Sequence, residues 1–84
     1  MKTKYRIGDR VSFDLLGYCE GVIVAFRRIK RKGHDEYTIA SLRTRSPIKI
    51  CHAHKLRFIE RLSNEQLLTH ELEDVRQCAK MRIV

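Results

Sequence analysis

A run of basic residues is the feature of this sequence best suited to binding chemistry. Flexible cations spaced along a ridge are what phosphate contacts require, and arginine can also stack on bases. We therefore expect a DNA or RNA interface, and the alternative is a solvated hairpin whose charges discourage edge-to-edge aggregation. The residues expected to bind are Arg27, Arg28, Lys30, Arg31, Lys32, Arg43, Arg45 and Lys49.

A second cluster, Cys51-His52-Ala53-His54, has residue types that bind metals. Zinc sites usually combine pairs at spacings such as C-x2-C and H-x3-H, and neighbouring Cys51 and His52 point to opposite faces of an extended chain. We predict Cys51 as a small core residue with solvated histidines nearby. We expect no metal, no catalytic residues, no cofactor and no enzyme activity.

The charge of the chain is uneven. Residues 1–62 hold fifteen Lys/Arg and six Asp/Glu, whereas residues 63–84 hold three and four, within a formal net charge of +8. The basic character therefore belongs to the first part of the chain and suggests a polyanionic partner.

Length and cysteine content indicate one small domain. A chain of 84 residues buries only about two-thirds of its unfolded surface, so its stability margin is thin. Three irregularly spaced cysteines do not make a disulfide framework, and no apolar stretch has the length of a membrane span. We expect no signal peptide. We expect a reduced, cytoplasmic protein with no membrane partner.

Five short strands are predicted in the first part of the chain. The run Gly21–Phe26 is rich in valine and isoleucine and indicates a strand buried on both faces. Alternation predicts strands at 10–15 and 37–42, with a hairpin tip at Gly33-His34-Asp35, and short strands follow at 48–50 and from Phe58. A helical turn is expected at 53–56.

The pattern becomes helical at Ser63. Ser63-Asn64-Glu65-Gln66 is a capping box, and Leu68, Leu72, Val75 and Ala79 recur at helical spacing, which predicts one helix at about residues 64–80. Glu73 and Arg76 could form a supporting pair. The apolar stripe must be buried against the rest of the chain or against a second subunit.

Together these elements predict a mainly β fold, a five-stranded SH3-like β-barrel at residues 1–62 followed by a C-terminal α-helix at 63–84. A five-stranded Greek-key barrel of the oligonucleotide-binding kind is the alternative.

Residues 8–60 resemble the SH3-like core of the plasmid- and integron-borne type II dihydrofolate reductases. The matching positions are Gly8-Asp9-Arg10-Val11, Gly21 with Ile23-Val24, Tyr37, Ser41, Ile48-Lys49-Ile50, Leu56 and Ile59. The resemblance implies that fold and a possible origin on a mobile element. Gly8-Asp9-x-Val11 is also similar to the KOW motif of RNA-binding barrels.

The resemblance does not extend to that family's pore. The position of its first-strand lysine is Phe13, its Gln-Ile-Tyr run is Lys49-Ile50-Cys51, and its tryptophan is Cys19. Three functions remain: a non-enzymatic nucleic-acid-binding barrel, a protein-interaction or homo-oligomerising module that uses the C-terminal helix, and a reductase as a distant alternative.

Overall fold

The structure, a computed structural model, describes residues 5–29, 31, 33–44, 46–50 and 53–83. Five antiparallel strands form one sheet in the order β4-β3-β2-β1-β5. The elements are β1 (Asp9–Asp14), β2 (Tyr18–Ile29), β3 (His34–Ala40), β4 (Ile48–Ile50), a 3-10 turn (Ala53–Lys55), β5 (Arg57–Arg61), α1 (Asn64–Leu68) and α2 (Glu73–Ile83). The predicted mainly β fold is confirmed. Within the described residues the sheet is not closed, so the barrel stays a prediction.

The central strand β2 differs from its predicted form beyond Val24. Val22 and Ile23 are buried, as predicted, but Phe26 is 41% exposed. The β2–β3 register shifts between Ile23 and Ala25, which marks a β-bulge. The strand bends out of the core at this bulge, so the expectation that the whole run is buried on both faces is wrong.

Two hydrophobic cores lie on the two faces of the sheet. The first core holds Tyr5, Val11, Phe13, Cys19, Ile23, Tyr37, Ile39 and Leu56. The second core holds Val22, Ala40, Leu62, Leu67, Val75, Cys78 and Ala79, and so joins both helices to the sheet. Successive residues of a strand point to opposite faces, which is why Val22 and Ile23 belong to different cores.

Glycine is required at position 21 because β3 approaches β2 closely there. A Cβ atom on Gly21 would lie 2.5 Å from Ile39 Cγ2 and 2.7 Å from the backbone oxygen of Ala40. A side chain at this position would push β2 and β3 apart and would disturb both cores.

The predicted single helix at 64–80 is wrong, because the structure has two helices separated by a connector at residues 69–72. The Thr69 hydroxyl donates to Glu65 O (3.0 Å), and His70 Nδ1 accepts the Leu72 N–H (3.0 Å). Arg76 Nη1 donates to His70 O (2.6 Å) and Glu71 O (2.9 Å), rather than pairing with a carboxylate of its own helix. The bonds from His70 and Arg76 satisfy backbone groups that a continuous helix would have paired internally, whereas Glu65 O still accepts the Thr69 N–H as well.

The break changes which leucine is buried. Val75 and Ala79 are buried as the stripe predicted, and Leu72 is half-buried, but Leu68 is exposed and its neighbour Leu67 is fully buried. The capping box is confirmed, since Ser63 Oγ accepts the Gln66 N–H (3.2 Å) and Gln66 Oε1 accepts the Ser63 N–H (2.8 Å).

Two smaller predictions also change. Leu15 lies in the turn after β1 and is exposed, rather than continuing the buried face of that strand. The hairpin tip comes before His34, because His34 already pairs with Ile29 and Gly33 donates its N–H to Ile29 O (3.0 Å). Gly33 has a φ of +65°, which suits glycine.

Candidate nucleic-acid interface

Beyond Phe26 and Tyr37, β2 and β3 form a two-stranded projection that we call the basic ribbon, residues 27–29 paired with residues 34–36. Ala25, Phe26, Arg27 and Arg28 are all exposed, and none of them belongs to either core. The exposure follows from sequence, since apolar residues give way to arginines where the strand passes the edge of the cores.

Each arginine of the basic ribbon lies opposite a carboxylate. The Arg27–Glu36 pair is also a hydrogen bond, whereas buried Asp35 Oδ1 is close to Arg28 but accepts no hydrogen bond from the described residues. Arg27 Nε lies 3.0 Å from Glu36 Oε1, and Arg28 Nε lies 3.2 Å from Asp35 Oδ1. Arg27 and Arg28 are consecutive residues of β2 and therefore lie on opposite faces of the ribbon. Both pairs are direct cross-strand neighbours, the arrangement in which opposite charges stabilise a sheet.

Both ion pairs use the Nε end of the guanidinium. A guanidinium carries five N–H donors in a planar fork, so the terminal Nη groups of Arg27 and Arg28 keep donors for another anion. The Arg27 side chain is 70% exposed and that of Arg28 is 34% exposed. Glu36 therefore fixes the direction of Arg27 by a hydrogen bond, and both carboxylates lower the net charge of the ribbon.

Asp35 and Glu36 were missed by the sequence-based prediction of this surface. Counting cations along one strand does not show what stands across from them. The tight hairpin offered a signal, because a turn after Ile29 places positions 35 and 36 opposite positions 28 and 27.

The remaining predicted residues do not form one cluster. Arg31 is exposed at the hairpin tip, and Lys49 is exposed on β4 opposite Thr38, which places it on the same side of the sheet as Arg27. Arg43 lies beyond the opposite end of β3, where its Nη1 donates to Tyr18 O. Lys30, Lys32 and Arg45 lie outside the described residues.

Arg43 instead borders a groove between the helix-facing side of the sheet and the connector, with a volume of about 640 Å³. Arg10, Tyr18 and Glu20 stand along one side of it. Arg10 Nη2 donates to Glu20 Oε2 (2.8 Å), and the Tyr18 hydroxyl donates to Glu20 Oε1 (2.9 Å). The hydrogen bond from Arg10, followed by that from Tyr18, lowers the pKa of Glu20, and the bond to Glu20 raises the pKa of Tyr18.

Two positions that would correspond to pore residues of the reductases, Phe13 and Ile50, lie in or against the first core. Phe13, at the place of that family's lysine, is buried in the first core, and Ile50 is half-buried against the same core. Cys51 and His52 lie outside the described residues. No group of three potential metal ligands occurs among the residues the structure describes, and the prediction of no metal stays a prediction.

Comparisons with known proteins give no family for the chain. No protein-family model, no curated protein and no solved structure matches it. None of the described helices is long and apolar enough to cross a bilayer. Any function proposed for this chain therefore depends on its own residues.

Proposed function

We propose that this protein binds nucleic acid without catalysis, through the basic ribbon. The observation that carries the proposal is the pairing of Arg27 and Arg28 with carboxylates through their Nε atoms, because each guanidinium has further N–H donors on its Nη groups. An arginine already held in one direction loses less conformational freedom when it binds a phosphate.

The shape of the ribbon supports a duplex partner. A two-stranded antiparallel ribbon fits the major groove of B-form DNA, whereas the major groove of A-form RNA is too deep and narrow for side chains to read. The ribbon projects past both cores, so it can enter a groove without moving the rest of the sheet. Lys49 lies on the Arg27 side of the sheet and, in this proposal, contacts a phosphate beside the major groove.

The positive charge of the chain also supports a nucleic-acid partner. The chain carries a formal net charge of +8, and all of this excess lies in residues 1–62. Neutralising phosphates releases counterions, so binding through the ribbon should weaken as salt rises, with a slope of about 0.9 per phosphate on logarithmic axes.

The experiment measures this salt slope on a random DNA duplex and a random RNA duplex. The decisive variant replaces both ion pairs together, Arg27→Ala, Arg28→Ala, Asp35→Ala and Glu36→Ala, which leaves the net charge unchanged. The matched control, Glu73→Ala with Lys80→Ala on α2, also leaves the net charge unchanged. We expect the ribbon variant to lose about two units of slope on DNA and the control to lose none.

Equal slopes for the ribbon variant and the control would overturn the proposal, because the attraction would then be a general property of a basic protein. Absence of DNA binding by the wild-type chain at low salt would overturn it as well.

The two other functions remain predictions. The apolar side of α2 packs on the chain's own sheet through Val75, Cys78 and Ala79, so homo-oligomerisation through this helix would use what stays exposed, such as Met81. Sedimentation velocity tests that function. We expect no NADPH-dependent reduction of dihydrofolate, since Phe13 stands at the lysine position.

A further inference from the structure

The groove beside the connector has the size and lining of a small-molecule site. Its volume of about 640 Å³ lies within the range of ligand pockets. Val22, Ala40, Leu62 and Leu72 supply apolar surface, while charged side chains stand around them. The groove lies at the opposite end of β3 from the hairpin tip, so it is separate from the basic ribbon.

Tyr18 is the tyrosine available for stacking among the described residues. Tyr5 and Tyr37 are buried in the first core, where their rings meet edge to face, but Tyr18 is 60% exposed and lines the groove. Its hydroxyl bond to Glu20 fixes the position of the ring. A fixed, exposed aromatic ring is a platform for a planar base.

Two guanidinium groups stand on the same side of the groove as this ring. Arg10 donates through Nη2 to Glu20 and Arg43 donates through Nη1 to Tyr18 O, so each keeps other N–H donors. Arginines fixed in this way suit the oxygens of a phosphate. Three carboxylates, those of Glu20, Glu60 and Glu71, also line the groove and outnumber the two guanidinium groups, which limits the site to a ligand with few negative charges.

Glu60 and His70 add a hydrogen-bond acceptor and a donor to the lining of the groove. Glu60 lies beside Arg10 on the neighbouring strand β5 and lines the groove. His70 uses Nδ1 to accept the Leu72 N–H, so its other ring nitrogen is the protonated one in the neutral form. A carboxylate favours a base that presents adjacent N–H donors, as guanine does on its Watson–Crick edge.

We propose that this groove binds one nucleotide, with the base stacked on Tyr18, the phosphate held by Arg43 and Arg10, and a guanine edge bonded to Glu60. The ligand is either a free mononucleotide or one unpaired nucleotide within a strand. The site uses no residue of the basic ribbon, so it stands whether or not the ribbon binds a duplex.

Calorimetric titration with GMP, AMP and ribose 5-phosphate tests the site. We expect Tyr18→Ala to weaken GMP binding at least about fivefold, as the loss of one base–aromatic stack predicts. Tyr18→Phe keeps the ring and should stay within about threefold of wild type. The matched control is Phe58→Ala, because Phe58 is similarly exposed at 53% but lies outside the groove.

Two further variants separate the phosphate from the base. Arg43→Ala should weaken GMP and AMP equally, whereas Glu60→Gln should remove the preference for GMP over AMP. The source of the nucleotide is decided by a short single strand with one guanine. Binding of the strand at least about tenfold tighter than GMP in the quadruple ribbon variant indicates a strand, and equal binding indicates the free mononucleotide.

The proposal is overturned if Tyr18→Ala binds GMP as Phe58→Ala does, or if ribose 5-phosphate binds as tightly as GMP. Failure here leaves the ribbon's duplex binding unaffected, because the two sites share no residue. Failure of the ribbon likewise leaves GMP binding in place.

Discussion

Asp9 and Arg61 are joined where β1 begins and β5 ends, with Arg61 Nε donating to Asp9 Oδ1 at 3.1 Å. The Asp9 carboxylate is 1% exposed, and its second oxygen accepts the Arg6 N–H at 2.9 Å. One carboxylate thus closes the turn before β1 and also binds the edge strand β5.

Replacing Asp9 by alanine should lower the free energy of unfolding by about 1–3 kcal/mol, because it leaves the Arg6 N–H and the Arg61 guanidinium without their acceptor. Urea denaturation measures the loss. Asp14→Ala is the matched control, since Asp14 ends the same strand but is exposed. If the two variants lose similar free energy of unfolding, the buried Asp9–Arg61 pair contributes no more to stability than an exposed carboxylate does.

Gly21→Ala should destabilise the protein by about 1–3 kcal/mol, because the added methyl group meets the backbone of Ala40 and cannot be relieved by a rotamer change. Gly33→Asn is the comparison, since Gly33 stands in open space in a left-handed conformation that asparagine tolerates. In thermal unfolding, Gly21→Ala should have a clearly lower melting temperature than Gly33→Asn. A Gly21→Ala variant as stable as wild type would contradict the close approach of β2 and β3.

Leu67→Ala should cost about 2–5 kcal/mol, whereas Leu68→Ala should change stability by no more than about 0.5 kcal/mol. Leu67 is fully buried in the second core, and Leu68 is 53% exposed. Chemical denaturation of both variants checks this. The opposite order would restore the continuous helix that the hydrophobic periodicity predicts.

His70 should make the helix pair sensitive to acid. Burial lowers the pKa of His70 below its ordinary value, Glu71 partly offsets this, and Arg76 adds to the lowering. The folded protein therefore binds the proton less well than the unfolded chain. The stabilisation is present above the unfolded pKa of 6.5 and is lost as the pH falls through the lower folded pKa.

We expect the melting temperature to fall more for wild type than for His70→Asn between about pH 7 and about pH 5. Asparagine keeps an oxygen that can accept the Leu72 N–H but does not titrate in this range. The carboxylates are the same in both proteins, so their effects cancel in the comparison. Parallel curves would show that protonation of His70 does not affect folding.

The strands could be predicted because they depend on local patterns. Val11 and Phe13 alternate with polar neighbours, and Val22 and Ile23 form an apolar run, so both strands follow from the sequence itself. The break at residues 69–72 could not be predicted in this way. It depends on bonds from His70 and Arg76 side chains to backbone groups, whereas the leucine spacing alone suits a continuous helix.

The two candidate sites, the basic ribbon and the groove, also differ in how far the sequence predicts them. The exposure of Arg27 and Arg28 could be predicted from their place after an apolar run, but their carboxylate partners depend on the position of the hairpin turn after Ile29, which differs from the predicted tip at Gly33-His34-Asp35. The groove could not be predicted, because Arg10, Tyr18, Arg43 and His70 come from distant parts of the chain and meet only after folding.

The basic ribbon extends past both cores, so its length can change without changing the packing of either core. Adding two residues to each strand beyond Phe26 would extend the ribbon by about 7 Å and keep every side chain on its present face. Adding one residue to each strand would instead exchange the faces of the arginines beyond the insertion. Because neither core contains a residue beyond Tyr37 toward the tip, the reach of this surface can change in lineages or in the laboratory without repacking the interior.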